Sequence, residues 1–234
     1  MESIDHYKYP GEDVLINKFD CHDAKELAML EALSTGGNIA YLQMHPIRGQ
    51  FDFKHLKEIH KFIFQDVYEW AGKTRDIDIG KGNLFCRAQF VDSYAVSVFS
   101  DFYTSCFEAR KNKAIFVETL ARHYGDMNAL HPFREGNGRS QREFTRELCL
   151  KCGYVFDLTL TSHEEMLEAS IQSFDSGDNS GLVHIFERCC IPKRKYKGLQ
   201  KALTSKLLIL AANDVDNDFE KHLFEQKSSD DRST

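Results

Sequence analysis

The sequence lacks the features that would direct a protein into a membrane or onto nucleic acid. Its N-terminal residues, 1 to 5, contain neither the basic segment nor the apolar segment that begins a secretory signal. The longest wholly apolar run, residues 207 to 212, is far too short to span a bilayer. Lysine and arginine number 30 against 36 aspartates and glutamates, so we expect no general attraction to nucleic acid or anionic lipid. These absences favour a cytoplasmic protein, and secretion into a host cell stays open.

The usual cysteine and histidine spacings of metal sites are also missing. The seven cysteines are an odd number, and without a signal segment we expect reduced thiols. Cys149 and Cys152 form a CxxC pair, but no second CxxC or HxxxH follows at ligand spacing, and the pair lies in a helical pattern. We therefore expect buried helix residues there. His55 and His60 likewise have no partner at a convincing spacing, which favours packing or surface histidines.

Length and periodicity predict one mostly helical domain. At 234 residues and 27.0 kDa, with 42% hydrophobic residues, the chain can bury a substantial core. Asp23 is a good N-cap for a helix that we expect to end at Gly36-Gly37. Apolar residues from 53 to 70 recur at steps of three and four and predict the clearest amphipathic helix. Further helices are predicted over residues 92–110, 114–130, 163–173 and 181–190, and one more after residue 139 that ends at Gly153.

Residues 75 to 90 differ from this helical background. Asp76 to Ile79 alternate in polarity, residues 80 to 83 are typical of a turn, and residues 84 to 88 return to an apolar pattern. This predicts the chain's one β-hairpin. A surface hairpin without a functional role is the alternative interpretation.

Pro192 marks the predicted end of the domain. A basic run follows from Lys193 to Lys206, then an acidic patch from Asp214 to Glu220, then a polar end from Lys227 onward. We predict that residues 1–191 form the domain with an ordered N-terminal arm. Residues 192–234 are predicted to form a charged helical appendage with a disordered tail, and a binding arm is the alternative.

The most informative stretch is residues 131 to 142, HPFREGNGRSQR. Gly136 and Gly138 can take positive φ without a Cβ penalty, so backbone N–H groups can turn toward one point and form an anion nest. A helix beginning near Arg139 would add its unpaired N–H groups and positive dipole end. Arg139 and Arg142 are three residues apart and share one helical face, where guanidinium groups can donate to phosphate oxygens.

The other two chemical groups of this stretch are a carboxylate and an imidazole. Glu135 would repel a triphosphate unless a cation lay between them, and Mg²⁺ with one carboxylate, phosphates and waters fits. His131, just before the nest, has the pKa range of a general base. The residues alone indicate nucleotide-phosphate transfer. The alternative is a helix-turn-helix corner in which His131 caps a helix and both arginines face solvent.

The same stretch resembles the signature of the Fic family, HPFx[D/E]GNGRxxR, at every defined position. Residues 7 to 18 also resemble the YxYPGxxVLxNK opening of its bacterial branch, and the likeness covers residues 5 to 190. It implies a mostly α-helical bundle of six to eight helices with one β-hairpin flap over the active site. It also implies transfer of AMP from ATP to a hydroxyl of a target protein.

The resemblance further implies residue roles. His131 deprotonates the target hydroxyl, Glu135 holds Mg²⁺, Asn137 and the loop N–H groups cradle the α-phosphate, and Arg139 and Arg142 bind the outer phosphates. The segment IxKGN resembles the family's flap, whose exposed strand edge holds a target segment by main-chain pairing. A solvated turn is the alternative for Lys81. The nucleotide-binding residues implied are Lys81, Gly82, Phe133, Gly136, Asn137, Gly138, Arg139 and Arg142.

Two alternatives and one expected partner complete the hypothesis. Doc-type protein kinases present the γ-phosphate and carry lysine where this chain has Gly138, and a catalytically silent binding module would keep the fold without turnover.

Many family members carry an inhibitory helix with the pattern [S/T]xxxE[G/N]. The only Glu-Gly here is Glu135-Gly136, preceded at the required position by His131, and there is no Glu-Asn. We therefore expect a small antitoxin-like inhibitor in trans, while the sequence does not name the target protein.

Overall fold

The computed structural model describes residues 5–81 and 83–196, which form a mostly helical domain, as predicted. Residues 1–4, Gly82 and residues 197–234 lie outside the described residues, and with them most of the predicted appendage. The helices of the described part are α1 (Ala24–Met44), α2 (Phe53–Phe64), α3 (Val91–Phe99), α4 (Phe102–Ala109), α5 (Lys113–Leu130), α6 (Asn137–Cys152), α7 (His163–Ser176) and α8 (Ser180–Cys189). Two short antiparallel pairs join β1 (Gly80–Lys81) to β2 (Asn83–Leu84) and β3 (Tyr154–Phe156) to β4 (Cys190–Pro192).

The start of α1 is as predicted, but its end is not. The Asp23 side chain accepts hydrogen bonds from the N–H groups of Lys25 and Glu26, 2.9 Å each, which satisfies the first turn. The helix then continues through Gly36-Gly37 to Met44. Each glycine costs about 1 kcal/mol in a helix, and packing beyond them outweighs that cost. Asn38 donates to the Ile63 carbonyl of α2, 3.1 Å away, and Leu42 is fully buried.

Helices α5 and α6 lie at the centre and carry the site between them. Their inward faces bury large apolar side chains against α2, α4 and α8. Because the C-terminus of α5 and the N-terminus of α6 are both fixed by this core, the residues between them, 131 to 136, are held at both ends. The fully buried aromatic rings of this core include Phe64, Phe102, Phe116, Phe144 and Phe186.

The single helix predicted over residues 92 to 110 is two helices. At the break, the Ser100 hydroxyl and the Ser100 backbone N–H both donate to the Ser97 carbonyl, at 2.8 and 3.3 Å. Short polar side chains of this kind compete with the helical backbone for hydrogen bonds. They interrupt the helix although the apolar pattern on either side continues.

The β-hairpin predicted within residues 75 to 90 is present but shorter than expected. Only Gly80 and Lys81 pair with Leu84 and Asn83, and the alternating residues 76 to 79 form no strand. Side chains of neighbouring segments hold these residues instead: Tyr7 donates to the Asp76 carboxylate at 2.9 Å, and Arg75 donates to the Ile77 backbone carbonyl at 2.8 Å. We call residues 76 to 86 the flap.

A second antiparallel pair, β3 with β4, corrects the expectation of only one hairpin. These strands have three residues each, too few for a periodic signal, and they are 34 or more residues apart along the chain. The pairing includes Pro192, and Tyr196 donates to the Asp157 carboxylate at 3.1 Å, so the chain stays packed on the domain through Tyr196. The boundary drawn at residue 191 remains a prediction.

Among the described helices, none is both long and apolar enough to cross a membrane.

Candidate active site

His131 lies at the C-terminal end of α5 in a left-handed backbone conformation, with φ 42° and ψ 63°. Its Nδ1 is 3.2 Å from the carbonyl oxygen of Asn128. A carbonyl can only accept, so this contact assigns the proton to Nδ1 and leaves Nε2 as the basic nitrogen. The sequence placed His131 at the end of a helix, and the structure adds which of its nitrogens can take a proton.

An aromatic ring from the flap lies against the His131 imidazole. The Phe85 ring stacks on it with 3.8 Å between centroids and 11° between planes. On α7, Phe174 packs against Phe85 in turn, with centroids 4.8 Å apart. The orientation of His131 is therefore fixed by α5, the flap and α7 together.

Gly136 forms the sharp turn into α6 and rests directly on a core ring. It has φ 78°, which favours glycine, and a Cβ built there would lie 2.1 Å from the Phe64 ring. Gly138, by contrast, lies inside the first turn of α6, so the expectation of positive φ holds only for Gly136. The first-turn N–H groups of α6 begin at Asn137, two residues before the predicted start, and form the positive end of the helix.

Asn137 and Phe133 brace this loop from within. The Asn137 side chain accepts from the Phe133 N–H at 2.9 Å and donates to the Phe133 carbonyl at 2.8 Å. The Phe133 ring is 0% exposed and stacks on His60 with centroids 3.8 Å apart. The contact of Phe133 with a nucleotide stays a prediction. Phe133 supports the loop from below.

His60 is the second support of the loop. Its Nε2 donates to the Glu135 carbonyl at 3.0 Å and its Nδ1 accepts from the Gly72 N–H at 2.8 Å. Burial lowers the pKa of His60 to about 3, so the ring is neutral and uses both nitrogens. The prediction of a packing histidine is confirmed, but its hydrogen bond to the signature loop had no signal in the sequence.

The Glu135 carboxylate lies at the start of α6, where the positive end of the helix favours it. Its Oε1 accepts from the Gly136 N–H at 2.7 Å and lies 3.5 Å from Nη2 of Arg139. This carboxylate lines the cavity described below. Within residues 5–81 and 83–196, no group of three or more histidine, cysteine or acidic side chains is arranged to hold a metal.

Arg139 is buried and held by α1. Its Nη2 donates to Glu31 at 2.6 Å, its Nη1 donates to the Thr35 hydroxyl at 3.2 Å, and its guanidinium lies over the Phe64 ring. The guanidinium side chain is only 3% exposed. Tyr68 donates to the second oxygen of Glu31, and burial together with this carboxylate raises the pKa of Tyr68 well above its ordinary value.

Glu31 and Thr35 were not among the predicted site residues, although the sequence contains one signal for Glu31. Glu31 is the only charged residue between Leu27 and Met44, a stretch that otherwise reads as an apolar helix. A lone carboxylate in such a helix needs a buried partner. Nothing in the sequence identifies Arg139 as that partner.

Arg142 lies one turn further along α6, close to Gly138. A Cβ at Gly138 would be 3.1 Å from Nη1 of Arg142, so the missing side chain leaves room for this guanidinium. Both residues line the cavity. Lys81 is placed by its backbone in β1, and Gly82, the remaining predicted nucleotide-binding residue, lies outside the described residues.

These residues surround a cavity of about 620 Å³, within the range of small-molecule sites. Its floor is the loop and first turn of α6, with His131, Glu135 and Asn137. One wall is formed by the N-terminal arm and α1, and the opposite wall by the flap and α7. The apolar residues of these walls include Val14, Leu27, Ile79, Phe85, Met166, Leu167, Ile171 and Phe174.

The CxxC cysteines lie away from this cavity. Cys149 and Cys152 are buried in α6, as expected, and burial raises the pKa of Cys152 to about 11. The corresponding pKa of Cys149 is also raised by burial. Both thiols are therefore protonated at neutral pH.

Comparison with known proteins gives the family. Residues 50–149 match the model of the Fic/DOC family. The chain is 33% identical over 196 residues to the probable protein adenylyltransferase Fic of Salmonella typhimurium, covering 83% of this chain and 96% of that protein. The chain belongs to the Fic/DOC family. The matched segment contains α2, the flap and the signature loop, whereas α1, with Glu31 and Thr35, lies outside it.

Two further Fic/DOC relatives extend this comparison. The protein adenylyltransferase VbhT of Bartonella schoenbuchensis is 38% identical over 173 residues, which are 74% of this chain. The chain spans about a third of the length of VbhT, with 36% of that protein covered. The crystal structure of the N-terminal Fic domain of a Bartonella quintana cell filamentation protein, with bound ADP, superposes with a TM-score of 0.74 at 26% identity. That superposition covers 84% of this chain and 96% of the Bartonella domain.

Proposed function

We propose that this Fic/DOC protein is a protein adenylyltransferase, which transfers AMP from ATP to a hydroxyl side chain of a target protein. One observation carries the proposal: the basic Nε2 of His131 belongs to a ring fixed beside the N-terminal end of α6, at one cavity. A base next to an anion-binding helix terminus suits attack of a hydroxyl on a phosphate. Relatives named protein adenylyltransferases support the same reaction.

The proposed chemical step follows from this arrangement. His131 Nε2 accepts the proton of the target hydroxyl, whose oxygen attacks the α-phosphorus of ATP. A new oxygen–phosphorus bond forms while the bond between the α-phosphorus and the bridging oxygen breaks, and pyrophosphate leaves. The imidazolium carries the proton, and its Nδ1–H stays bound to the Asn128 carbonyl.

Phosphate binding is assigned to the loop and first turn of α6. The N–H groups from Asn137 onward would cradle the α-phosphate, because their dipoles point into the cavity at the helix start. Asn137 contributes by bracing the loop. Arg142 is proposed for the outer phosphates. Arg139 adds positive charge to the same wall, held by Glu31 and Thr35.

Glu135 is the proposed Mg²⁺ ligand. The fit rests on its carboxylate at the cavity surface, next to the helix end that would hold phosphates. Mg²⁺ is commonly bound by one or two carboxylates together with substrate phosphates and waters, so this single carboxylate is sufficient. The ion would supply charge neutralisation between the phosphates.

The flap is proposed to hold the target segment. Leu84 of β2 is 58% exposed. Because β2 pairs on one side with β1, its other edge is open for main-chain pairing with a target segment. Binding of this kind would place a target hydroxyl beside His131, which Phe85 contacts from the same flap. Lys81, in β1, is proposed to lie near the nucleotide, and the same is proposed for Gly82.

ATP labelled at either the α or the γ position tests the proposed reaction. The purified chain is incubated with each label and a cell lysate, and labelled protein is separated from free nucleotide. Relative to the same lysate without the chain, we expect additional label on protein from the α position only. Label from the γ position alone would instead identify a kinase of the Doc type, and a silent binding module would transfer neither.

A small inhibitory protein in trans, as in a toxin–antitoxin pair, is the proposed regulator. The wall formed by α1 presents the small residues Ala24, Ala28 and Ala32 to the cavity, which would leave space for a partner's helix beside the phosphate site. Its glutamate would pair with Arg142. Comparing the full chain with one ending at Tyr196, which keeps β4 intact, tests this proposal. If only the shortened chain transferred AMP without any partner, the restraint would lie in residues 197–234.

The proposed place of action is the cytoplasm, either of the producing cell or of a host cell. The Bartonella quintana relative is described as a VirB-translocated effector, which supports the second possibility for that protein. Labelled targets recovered from host cells, and not from the producing cell, would establish delivery for this chain.

A further inference from the structure

Arg75 donates hydrogen bonds to four backbone carbonyls, two in the signature loop and two in the flap. Its own N–H donates to the Pro132 carbonyl at 2.9 Å, and its Nε donates to the His131 carbonyl at 2.9 Å. Its Nη1 donates to the Ile77 carbonyl at 2.8 Å, and its Nη2 donates to the Cys86 carbonyl. One side chain therefore joins the catalytic loop to both ends of the flap.

The hydrogen-bond partners of this guanidinium are all uncharged carbonyls. Arg75 is 2% exposed, and among the described residues no carboxylate lies within ion-pair distance of it. Burial lowers its pKa from the ordinary value, although the Asp78 carboxylate raises that pKa from a greater distance. A planar guanidinium presents five N–H groups in a fixed fork. The carbonyls of the loop and the flap can accept hydrogen bonds from these N–H groups together only if the loop and the flap keep their relative positions.

The contact with His131 has a specific geometric effect. His131 is one of three non-glycine residues in the described chain with positive φ, a conformation that costs about 1 kcal/mol or more. Its carbonyl oxygen is bound by Arg75 Nε, and its ring nitrogen by Asn128. Arg75 thus fixes the backbone turn that aims the imidazole, although it does not line the cavity itself.

We propose that Arg75 is a positioning residue that couples the flap to His131, so that the flap's placement and the aim of the base are set together. This inference rests on the proposed function. The same guanidinium holds the first and last parts of the flap, and the flap's Phe85 stacks on the imidazole. A displaced flap therefore disturbs His131 through two contacts, one to its carbonyl and one to its ring.

Arg75→Lys tests the coupling, because lysine keeps the charge but cannot donate to three carbonyls in one plane. We expect the maximal rate of AMP transfer to lysate proteins to fall about 10- to 100-fold, as for a misplaced catalytic group. The ATP concentration for half-maximal rate should stay within about twofold, since Arg75 does not line the cavity. A higher ATP concentration for half-maximal rate, with an unchanged maximal rate, would overturn the proposal.

The matched control is Arg146→Lys. Arg146 is also a largely buried arginine that donates to a backbone carbonyl, that of Leu42, but its ion pairs are with Glu143 and Glu147, away from the flap. We expect this variant to lose stability without the rate loss of Arg75→Lys. Equal rate losses at equal loss of stability would mean that Arg75 is a structural anchor only.

Nitrogen NMR of His131 gives a readout that does not depend on activity. In the parent chain we expect the neutral ring to carry its proton on Nδ1, and in Arg75→Lys a mixture of the two tautomers. Arg75→Gln, which is smaller and uncharged, serves as a second variant if the lysine variant does not fold. An unchanged tautomer in a folded variant of either kind contradicts the coupling.

A double variant tests the link to the flap directly. If Arg75 aligns Phe85 with His131, the rate losses of Arg75→Lys and Phe85→Ala will combine to less than their product. The losses of Arg146→Lys and Phe85→Ala should multiply. A parent chain that transfers no AMP at all would refute the proposed function, whereas an active parent with fully independent Arg75 and Phe85 effects would refute only the coupling.

Discussion

Glu31 and Arg139 form a buried ion pair, with 2.6 Å between Oε1 and Nη2, although 108 residues separate them in the sequence. The pair joins α1 to the first turn of α6. The same arginine nitrogen, Nη2, lies 3.5 Å from Oε1 of Glu135, so it contacts two carboxylates. A helix outside the matched family segment is in this way bound to the signature.

The first prediction is that Glu31→Gln destabilises the fold. Glu31→Gln removes the 2.6 Å carboxylate contact of the buried Arg139 and leaves the longer contact to Glu135, at 3.5 Å. We expect a loss on the order of 3 kcal/mol in the free energy of unfolding, measured with urea. Glu26→Gln is the matched control, because Glu26 is exposed on the same helix and should change the value by less than about 0.5 kcal/mol. Similar losses in both variants would show that the pair with Arg139 contributes little.

The second prediction concerns His131 as the base. His131→Ala should lower the rate of AMP transfer at least about 100-fold. The melting temperature and ATP affinity should stay near those of the parent, because the loop remains braced by Asn137 and His60. The exposed histidine His22 provides the control variant, His22→Ala, which should transfer AMP normally. Transfer by His131→Ala at the parent rate would remove His131 from the mechanism.

The third prediction concerns the flap edge. Leu84→Pro removes a backbone N–H and constrains φ in β2, so labelling of target proteins should slow far more than ATP binding weakens. Leu84 suits this test better than Phe85, because Phe85 also stacks on His131. Leu84→Ala, which keeps the backbone donor, is the control. If the proline variant labels targets as fast as the alanine variant, main-chain pairing at this strand is not how targets bind.

The fourth prediction follows from the lowered pKa of His60. The ordinary value is 6.5 and the folded value is about 3, so between these pH values the unfolded chain binds the extra proton. The free energy of unfolding should therefore fall as the pH drops below about 6.5, by up to about 1.4 kcal/mol per pH unit. Above that pH, His60 should contribute no pH dependence.

His60→Gln isolates this contribution from that of His123, whose pKa is also lowered by burial. Urea unfolding of the parent and of the variant is compared at several pH values between 4 and 7. The variant's stability should decline less steeply with acidification, although it starts lower because a loop contact is changed. Parallel declines in the two proteins would show that His60 does not titrate as its burial predicts.

The local signals in the sequence predicted the parts of the site that depend on neighbouring residues. Asp23 begins α1, Gly153 ends α6, and the signature lies between two helices, because caps and glycine turns act over a few residues. The helix end predicted at Gly36-Gly37 was wrong for the same reason. Two glycines weaken a helix locally, but the packing of Asn38 and Leu42 on neighbouring elements decides the outcome.

The supports of the site could not be predicted, because they depend on contacts between distant segments. His60 reaches the Glu135 carbonyl across 75 residues, and Arg75 reaches the His131 carbonyl across 56. In both contacts the acceptor is a backbone carbonyl, which every residue has. The type of the accepting residue therefore gives no signal of the contact. The sequence therefore shows which residues form the phosphate loop and the base, but not the residues that hold them in place.

The stacking of Phe85 on His131 also bears on how the base would be regenerated. Turning the imidazole about its Cβ–Cγ bond would break the Nδ1 contact with Asn128 and sweep the ring past Phe85, whose centroid is 3.8 Å away. If Nε2 takes the proton as proposed, that proton must leave from the atom that received it. Each catalytic cycle would then be completed by solvent reaching Nε2 through the cavity after the modified target departs, and not by a ring flip.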